Sequence, residues 1–243
     1  MVHKCRSAQE TPSFSSPYQG GDRRDKTSGL PNFRASAPVD FRLYLITDRS
    51  LFPAADLLLT AVEDALKGGV KAVQLREKDL ETGALLKMAR LLRDLTEKYN
   101  ARLFINDRVD IALVVRADGV HLSRESIPAH AARKIADNKF MIGVSTHSIS
   151  EACEAEKEGA DFITLGPVFR TPSKIRYGEP VGVNTLKEVK AKVSIPVFAI
   201  GGINMDVVRK VREAGADGVA LISAILNAEN VRETTERFVR SLK

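Results

Sequence analysis

One pattern constrains this chain more than any other. Between Phe41 and the C-terminus, short aliphatic or β-branched runs alternate eight times with amphipathic stretches. The runs predict strands at Arg42–Thr47, Ala72–Arg76, Arg102–Ile105, Gly119–Leu122, Met141–Val144, Phe162–Leu165, Val197–Ile200 and Gly218–Leu221. Helical periods lie between them at Leu57–Leu66, Thr82–Tyr99, Glu151–Glu158, Thr185–Val193, Met205–Ala214 and Val231–Leu242. A weak internal repeat marks the joints: Gly68-Gly69-Val70-Lys71-Ala72, Ala117-Asp118-Gly119-Val120, Gly159-Ala160-Asp161-Phe162 and Gly215-Ala216-Asp217-Gly218-Val219. Each closes a helix pattern and opens a strand, with Gly expected in the left-handed helix C-cap. Eight such units predict an α/β fold, a single (β/α)8 TIM barrel. A doubly wound open sheet usually shows a glycine-rich turn after its first strand. Here that strand runs into Ile46-Thr47-Asp48-Arg49, without a glycine.

Composition sets the limits of the barrel and excludes several kinds of partner. Residues 1–40 hold 13 Pro, Gly or Ser and no strand or helix period. Such a segment buries too little apolar surface to offset its ordering entropy, so it predicts a disordered N-terminal extension, or a start codon set too far upstream. The barrel domain is then 41–243. The net charge of +6 raises nucleic acid as a partner, but six Lys/Arg against four acids put +2 of it in residues 1–40. The rest is spread without a dense basic block, and aromatics make up only 6%. Neither nucleic acid nor membrane is expected, since no apolar run approaches the roughly 20 residues of a span and no secretory h-region opens the chain. Cys5 and Cys153 form no CxxC, which predicts a reduced, cytoplasmic protein, compatible with a homo-oligomer.

In a TIM barrel the chemistry sits at the C-terminal ends of the strands. Strand two ends Gln74-Leu75-Arg76-Glu77-Lys78, and alternation sends Gln74, Arg76 and Lys78 to one side. Two cations at one mouth suit a phosphate or diphosphate, or else form rim salt bridges with Glu77 or Asp79. Strand three ends Asn106-Asp107, where Asp107 either caps the next helix or ligates a hard cation such as Mg²⁺. His121 reads as a satisfied interior histidine, and His147 as a surface residue or a proton carrier. Ser145 and Thr146 can donate to an anion, while Thr146 or Ser148 can cap the next helix. After strand six, the long loop from Gly166 to about Gly182 carries Arg170, Thr171, Ser173, Lys174 and Arg176, and reads as a phosphate-clamping lid. Gly201-Gly202 and Ile222-Ser223, after strands seven and eight, stand where barrels usually hold a phosphate through backbone N–H groups.

The set resembles the thiamine phosphate synthases from about Phe41 to Lys243. The motifs that carry it are Tyr44-Leu45-Ile46-Thr47-Asp48, Val73-Gln74-Leu75-Arg76-Glu77-Lys78, Ile105-Asn106-Asp107-Arg108, Gly119-Val120-His121-Leu122, Gly143-Val144-Ser145-Thr146-His147, Gly166-Pro167-Val168-Phe169-Arg170-Thr171, Lys174, and Ile200-Gly201-Gly202-Ile203 with Gly215-Ala216-Asp217-Gly218. The resemblance implies a transferase that joins 4-amino-5-hydroxymethyl-2-methylpyrimidine diphosphate to hydroxyethylthiazole phosphate, releasing diphosphate. It implies that Gln74, Arg76, Lys78, Asn106, Ser145 and Lys174 hold the pyrimidine diphosphate, with Arg76, Lys78 and Lys174 assisting its departure. Thr171, Ser173, Gly202, Ile222 and Ser223 would hold the thiazole phosphate, and Asp107 with Ser126 the Mg²⁺. Ser126 stands where the family usually has a second metal-binding Asp, which implies weaker Mg²⁺ affinity. Two other readings are a thiazole tautomerase that uses His147, and a non-catalytic regulator that binds thiamine phosphate. Gln74, Asn106-Asp107 and the Thr171/Lys174 loop favour the synthase, and Ser126 favours the tautomerase.

Overall fold

Two strand ends continue the backbone ladder further than their apolar runs suggest, while the first two strands stop one residue short of the expected Thr47 and Arg76. In the computed structural model, which describes residues 38–136, 140–171 and 179–243, β3 (Arg102–Asn106) and β5 (Met141–Thr146) extend into polar residues. Asn106 pairs with His121, and Ser145 with Thr164. The other strands are β1 (Leu43–Ile46), β2 (Ala72–Leu75), β4 (Gly119–Leu122), β6 (Phe162–Leu165), β7 (Val197–Ile200) and β8 (Gly218–Leu221). All eight pair in parallel and in order, β8 closing on β1, so the expected barrel is the observed one.

The helices are α1 (Ala55–Lys67), α2 (Thr82–Lys98), α3 (Val109–Val114), α4 (Ala129–Ile135), α5 (Ile149–Lys157), α6 (Gly182–Lys190), α7 (Val208–Glu213), α8 (Ser223–Leu226) and α9 (Val231–Ser241). The helices α4 and α8, at seven and four residues, are too short to show a sequence period. Among the described residues, no helix is long and apolar enough to cross a membrane. Of the predicted extension over residues 1–40, only residues 38–40 are described. The Asp40 carboxylate accepts two bonds from Arg102, at 2.8 and 2.9 Å.

Helix faces such as Leu58, Val62 and Leu66 of α1 pack on the outward strand residues, and a second core fills the barrel itself. Five rings, Phe41, Tyr44, Phe104, Phe162 and Phe198, lie with contacting centroids 5.1–6.2 Å apart, mostly tilted or edge-to-face. The rings fit because their ladder partners lack side chains: a Cβ on Gly119 would meet Phe104 at 2.7 Å, and one on Gly218 would meet Phe198 at 2.5 Å.

The repeat at the joints has two physical jobs. Gly69, Gly159 and Gly215 take the left-handed conformation expected of them, at φ 104°, 91° and 93°. At the remaining joint the expectation is corrected: Arg116 takes that conformation (φ 53°), and Gly119 instead makes room for Phe104. The aspartates are clips. Asp118, Asp161 and Asp217 accept the backbone N–H of Leu103, Ile142 and Val197 at 2.6–2.8 Å. Each also pairs with a cation, Arg93, Arg133 or Lys190. This is the end of the barrel where stability is built, opposite the chemistry.

Candidate active site

Gln74, on β2, points into the barrel and is buried, where its amide Nε2 donates to the Tyr44 hydroxyl at 3.0 Å. That hydroxyl lies 3.5 Å from His121 Nδ1, and His121 Nε2 lies 3.0 Å from Ser145 Oγ and 3.4 Å from Thr164 Oγ1. One buried network therefore ties Gln74 on β2 to Ser145 on β5. Burial holds the His121 pKa down to about 3, against the pull of the Asp107 charge, and raises that of the Tyr44 phenol. His121 is a neutral interior histidine, as its apolar strand suggests.

Arg76 and Lys78 emerge above Gln74, half-buried and exposed respectively. The rim salt-bridge alternative does not hold: Glu77 and Asp79 both pair with Arg49, on the turn after β1. Among the described residues, Arg76 and Lys78 have no carboxylate within ion-pair distance, although the charge of Arg76 bears on His121 and that of Lys78 on Asp107.

Asp107 is not a helix cap, since α3 is capped by Arg108 without a side-chain bond. Its backbone takes the left-handed conformation (φ 60°), which for a non-glycine residue is a strained arrangement typical of functional sites. Oδ1 accepts the Ser123 N–H at 2.8 Å and the Ser126 hydroxyl in a short bond; Oδ2 accepts from Asn106 Nδ2 at 2.6 Å. Burial raises the Asp107 pKa, but the bonds from Ser126 and Ser123 and the Lys78 charge outweigh it and leave the group below its usual value. The structure thus brings Ser126 to Asp107, as a hydrogen-bond donor. Among the described residues, no group of three or more His, Cys, Asp or Glu gathers to hold a metal. Mg²⁺ often uses only one or two carboxylates and takes its other ligands from water and substrate phosphate. One ionised carboxylate with the Lys78 charge bearing on it fits an ion of that kind, whose remaining ligands would come from water and phosphate.

The loops after β6 and β7 are joined by backbone bonds, Val168 N–H to Ile200 O at 2.8 Å and Phe169 N–H to Gly201 O at 3.0 Å. Gly201 and Gly202 have φ of 94° and 67°, and a Cβ on Gly202 would sit 2.7 Å from Phe169 Cβ and 2.8 Å from Arg170 O. Both the turn and the close approach therefore require glycine. Beside them, Ile222 precedes α8, whose leading N–H groups, from Ser223 on, have no partner within the helix. Arg170 pairs with Glu179 at 2.8 Å, and Thr171 is half-buried at the edge of the loop. Ser173, Lys174 and Arg176 lie outside the described residues. His147 is exposed, and its Nδ1 donates to Gly166 O at 2.5 Å.

Sequence reasoning missed Tyr44, Thr47 and Thr164 as parts of the site. For Tyr44 and Thr164 the available signal was a polar side chain on the inward phase of an otherwise apolar strand; Thr47 follows β1 on the phase of Leu43 and Leu45 and gave no such signal.

Barrel and mouth together define a class, the (β/α)8 enzymes, whose chemistry sits at the C-terminal rim. The sequence model of the thiamine monophosphate synthase family matches residues 43–225. The chain belongs to the thiamine monophosphate synthase family. It is 54% identical over 197 residues to a putative thiamine-phosphate synthase of Geobacter sulfurreducens, covering 81% of this chain and 92% of that one. With the thiamine-phosphate synthase of Clostridium novyi it shares 46% identity, over 80% of this chain and 95% of the relative. Among solved structures, a thiamine phosphate pyrophosphorylase from Pyrococcus furiosus superposes with a TM-score of 0.76 at 44% identity, covering 83% of this chain and 95% of that one.

Proposed function

We propose that this chain, a transferase of thiamine biosynthesis, joins 4-amino-5-hydroxymethyl-2-methylpyrimidine diphosphate to hydroxyethylthiazole phosphate or its carboxylated tautomer. The observation that carries the reading is the pair Arg76 and Lys78, free of carboxylate contacts among the described residues and set beside the ionised Asp107. The C–O bond to the diphosphate breaks with its electron pair leaving on oxygen. The electron-rich aminopyrimidine then carries the positive charge at its methylene carbon, and the thiazole nitrogen attacks there; the carboxylated form also loses its carboxylate as CO2, the C–C electron pair returning to the ring. Arg76, Lys78 and Lys174 stabilise the departing charge, while Gln74, Asn106 and Ser145 orient the pyrimidine diphosphate. Asn106 and Gln74 each engage their amide nitrogen within the protein, at Asp107 and Tyr44, which turns the amide oxygen toward a donor on the ligand. Thr171, Ser173, Gly202, Ile222 and Ser223 hold the thiazole phosphate. Asp107, with Ser126 beside it, would hold Mg²⁺, which neutralises diphosphate charge when bound. Catalysis rests on positioning and electrostatics, without a nucleophile–base pair.

The test is thiamine phosphate formation from the two substrates, with and without Mg²⁺, followed as diphosphate release. Arg76→Ala is expected to lower kcat/KM by about a hundredfold or more, the scale of one lost charge contact to a leaving group. No product from authentic substrates in the wild type overturns the reading. A second reading, thiazole tautomerisation, draws on one observation: the bond from His147 Nδ1 to Gly166 leaves Nε2 open for proton transfer at the rim. His147→Ala separates the two, because it abolishes tautomerisation and leaves coupling intact.

A further inference from the structure

Glu77 flanks two residues of the cradle and takes no part in it. Its side chain turns away from the mouth, is 6% exposed and receives three bonds. The Thr47 hydroxyl donates to Oε1 at 2.6 Å, and the Arg49 N–H lies 3.1 and 3.0 Å from the two oxygens. Thr47 in turn accepts the Arg76 N–H at 3.0 Å. These bonds begin where the sheet stops. The β1–β2 register ends at Ile46 and Gln74, and the Thr47 N–H to Gln74 O bond at 2.9 Å is the last backbone bond between them. Beyond it, the backbone that carries Arg76 and Lys78 is held to β1 through Thr47 and Glu77.

We propose that Glu77 is a positioning residue for the diphosphate cradle: its carboxylate fastens the turn after β1 to the end of β2 and so aims Arg76 and Lys78 into the mouth. This rests on the reading of the mouth given under Proposed function. Sequence adjacency supplies the lever: fixing the Glu77 side chain to β1 fixes the backbone on which Arg76 precedes it and from which Lys78 starts the turn closed by the Leu80 N–H on Glu77 O at 3.3 Å. The ion pair with Arg49 is too loose to explain the residue. The guanidinium approaches only to 4.0 Å through Nε, a buried nitrogen without a hydrogen-bond partner, while its other end binds Asp79. Burial also raises the Glu77 pKa, more than the bonds from Thr47 and Arg49 lower it. Holding a carboxylate here costs folding free energy, and that cost has an explanation if the carboxylate aims the cations.

The experiment uses the full chain and inorganic pyrophosphate as the probe, with steady-state kinetics for both substrates. Glu77→Ala is expected to weaken pyrophosphate binding about tenfold and to raise KM for the pyrimidine diphosphate by a similar factor, leaving KM for the thiazole phosphate unchanged. Glu77→Gln keeps an oxygen for Thr47 and should return binding to within about threefold of wild type. Thr47→Val, a near-isosteric loss of the linking hydroxyl, should repeat the selective rise and carries the test if Glu77→Ala does not fold. Pyrophosphate binding by folded Glu77→Ala or Thr47→Val at wild-type strength overturns the proposal. So does a KM that rises equally for both substrates. If the wild type itself neither binds pyrophosphate nor forms product, the functional reading falls first, and the two failures are told apart.

Discussion

His121 works because it does not gain a proton near neutrality. Its pKa of about 3 lies below the free value near 6.5, because burial opposes the charged form. Between those values the unfolded chain binds a proton that the folded chain refuses, so stability is lost as pH falls from about 6.5 toward 3. From pH 7 to pH 5 the loss from this group is about 2 kcal/mol. Urea unfolding at the two pH values should show it, and His121→Gln, which does not titrate, should remove that part of the difference. Gly202 is a residue-level constraint of another kind. Gly202→Ala meets both a φ of 67° and the Phe169–Arg170 backbone, and should destabilise the fold by about 1–3 kcal/mol while raising KM for the thiazole phosphate. Single residues differed in how well the sequence disclosed them. Strand alternation predicted one side for Arg76 and Lys78, whereas β2 ends at Leu75 and Lys78 lies in the turn that follows. Asp107 stayed ambiguous because its role depends on a left-handed backbone and on Ser123 and Ser126, neither visible in local spacing.

The strands were legible because their apolar runs are short and bounded, and their ends were misjudged where polar residues continue the ladder. Asn106, Ser145 and Thr146 remain in strands because the neighbouring strand still offers backbone partners at His121, Thr164 and Leu165. The joints held information that the glycines alone did not express. Their aspartates clip β3, β5 and β7 to the next strand, and each clip uses a cation as well as a backbone N–H. Asp161→Ala leaves Arg133, with 10% of its side chain exposed, without its carboxylate. The expected loss is about 3 kcal/mol, or roughly 6–12 °C in Tm for a chain of this size. Thermal unfolding checks the first part. The kinetic constants should stay at wild-type values, since the clip lies at the opposite end of the barrel from the mouth.

For the molecule as a whole, the eightfold alternation predicted the barrel, and a barrel gathers its chemistry at one rim. The extension has no such pattern, and its composition sets it apart from the rest of the chain. A chain beginning at Pro38 retains Asp40 and its bonds to Arg102, and should keep kcat and both KM values within about twofold, within ordinary surface-level effects. Equal activity in the shortened and full chains checks this, and a large loss would give residues 1–37 a part in the site.

The five rings on the barrel axis bear on traffic. They make the barrel a cup with a packed floor rather than a pipe, so everything that enters by the rim must leave by it. For the coupling proposed above, with two substrates and two products, one doorway turns turnover into a question of queueing.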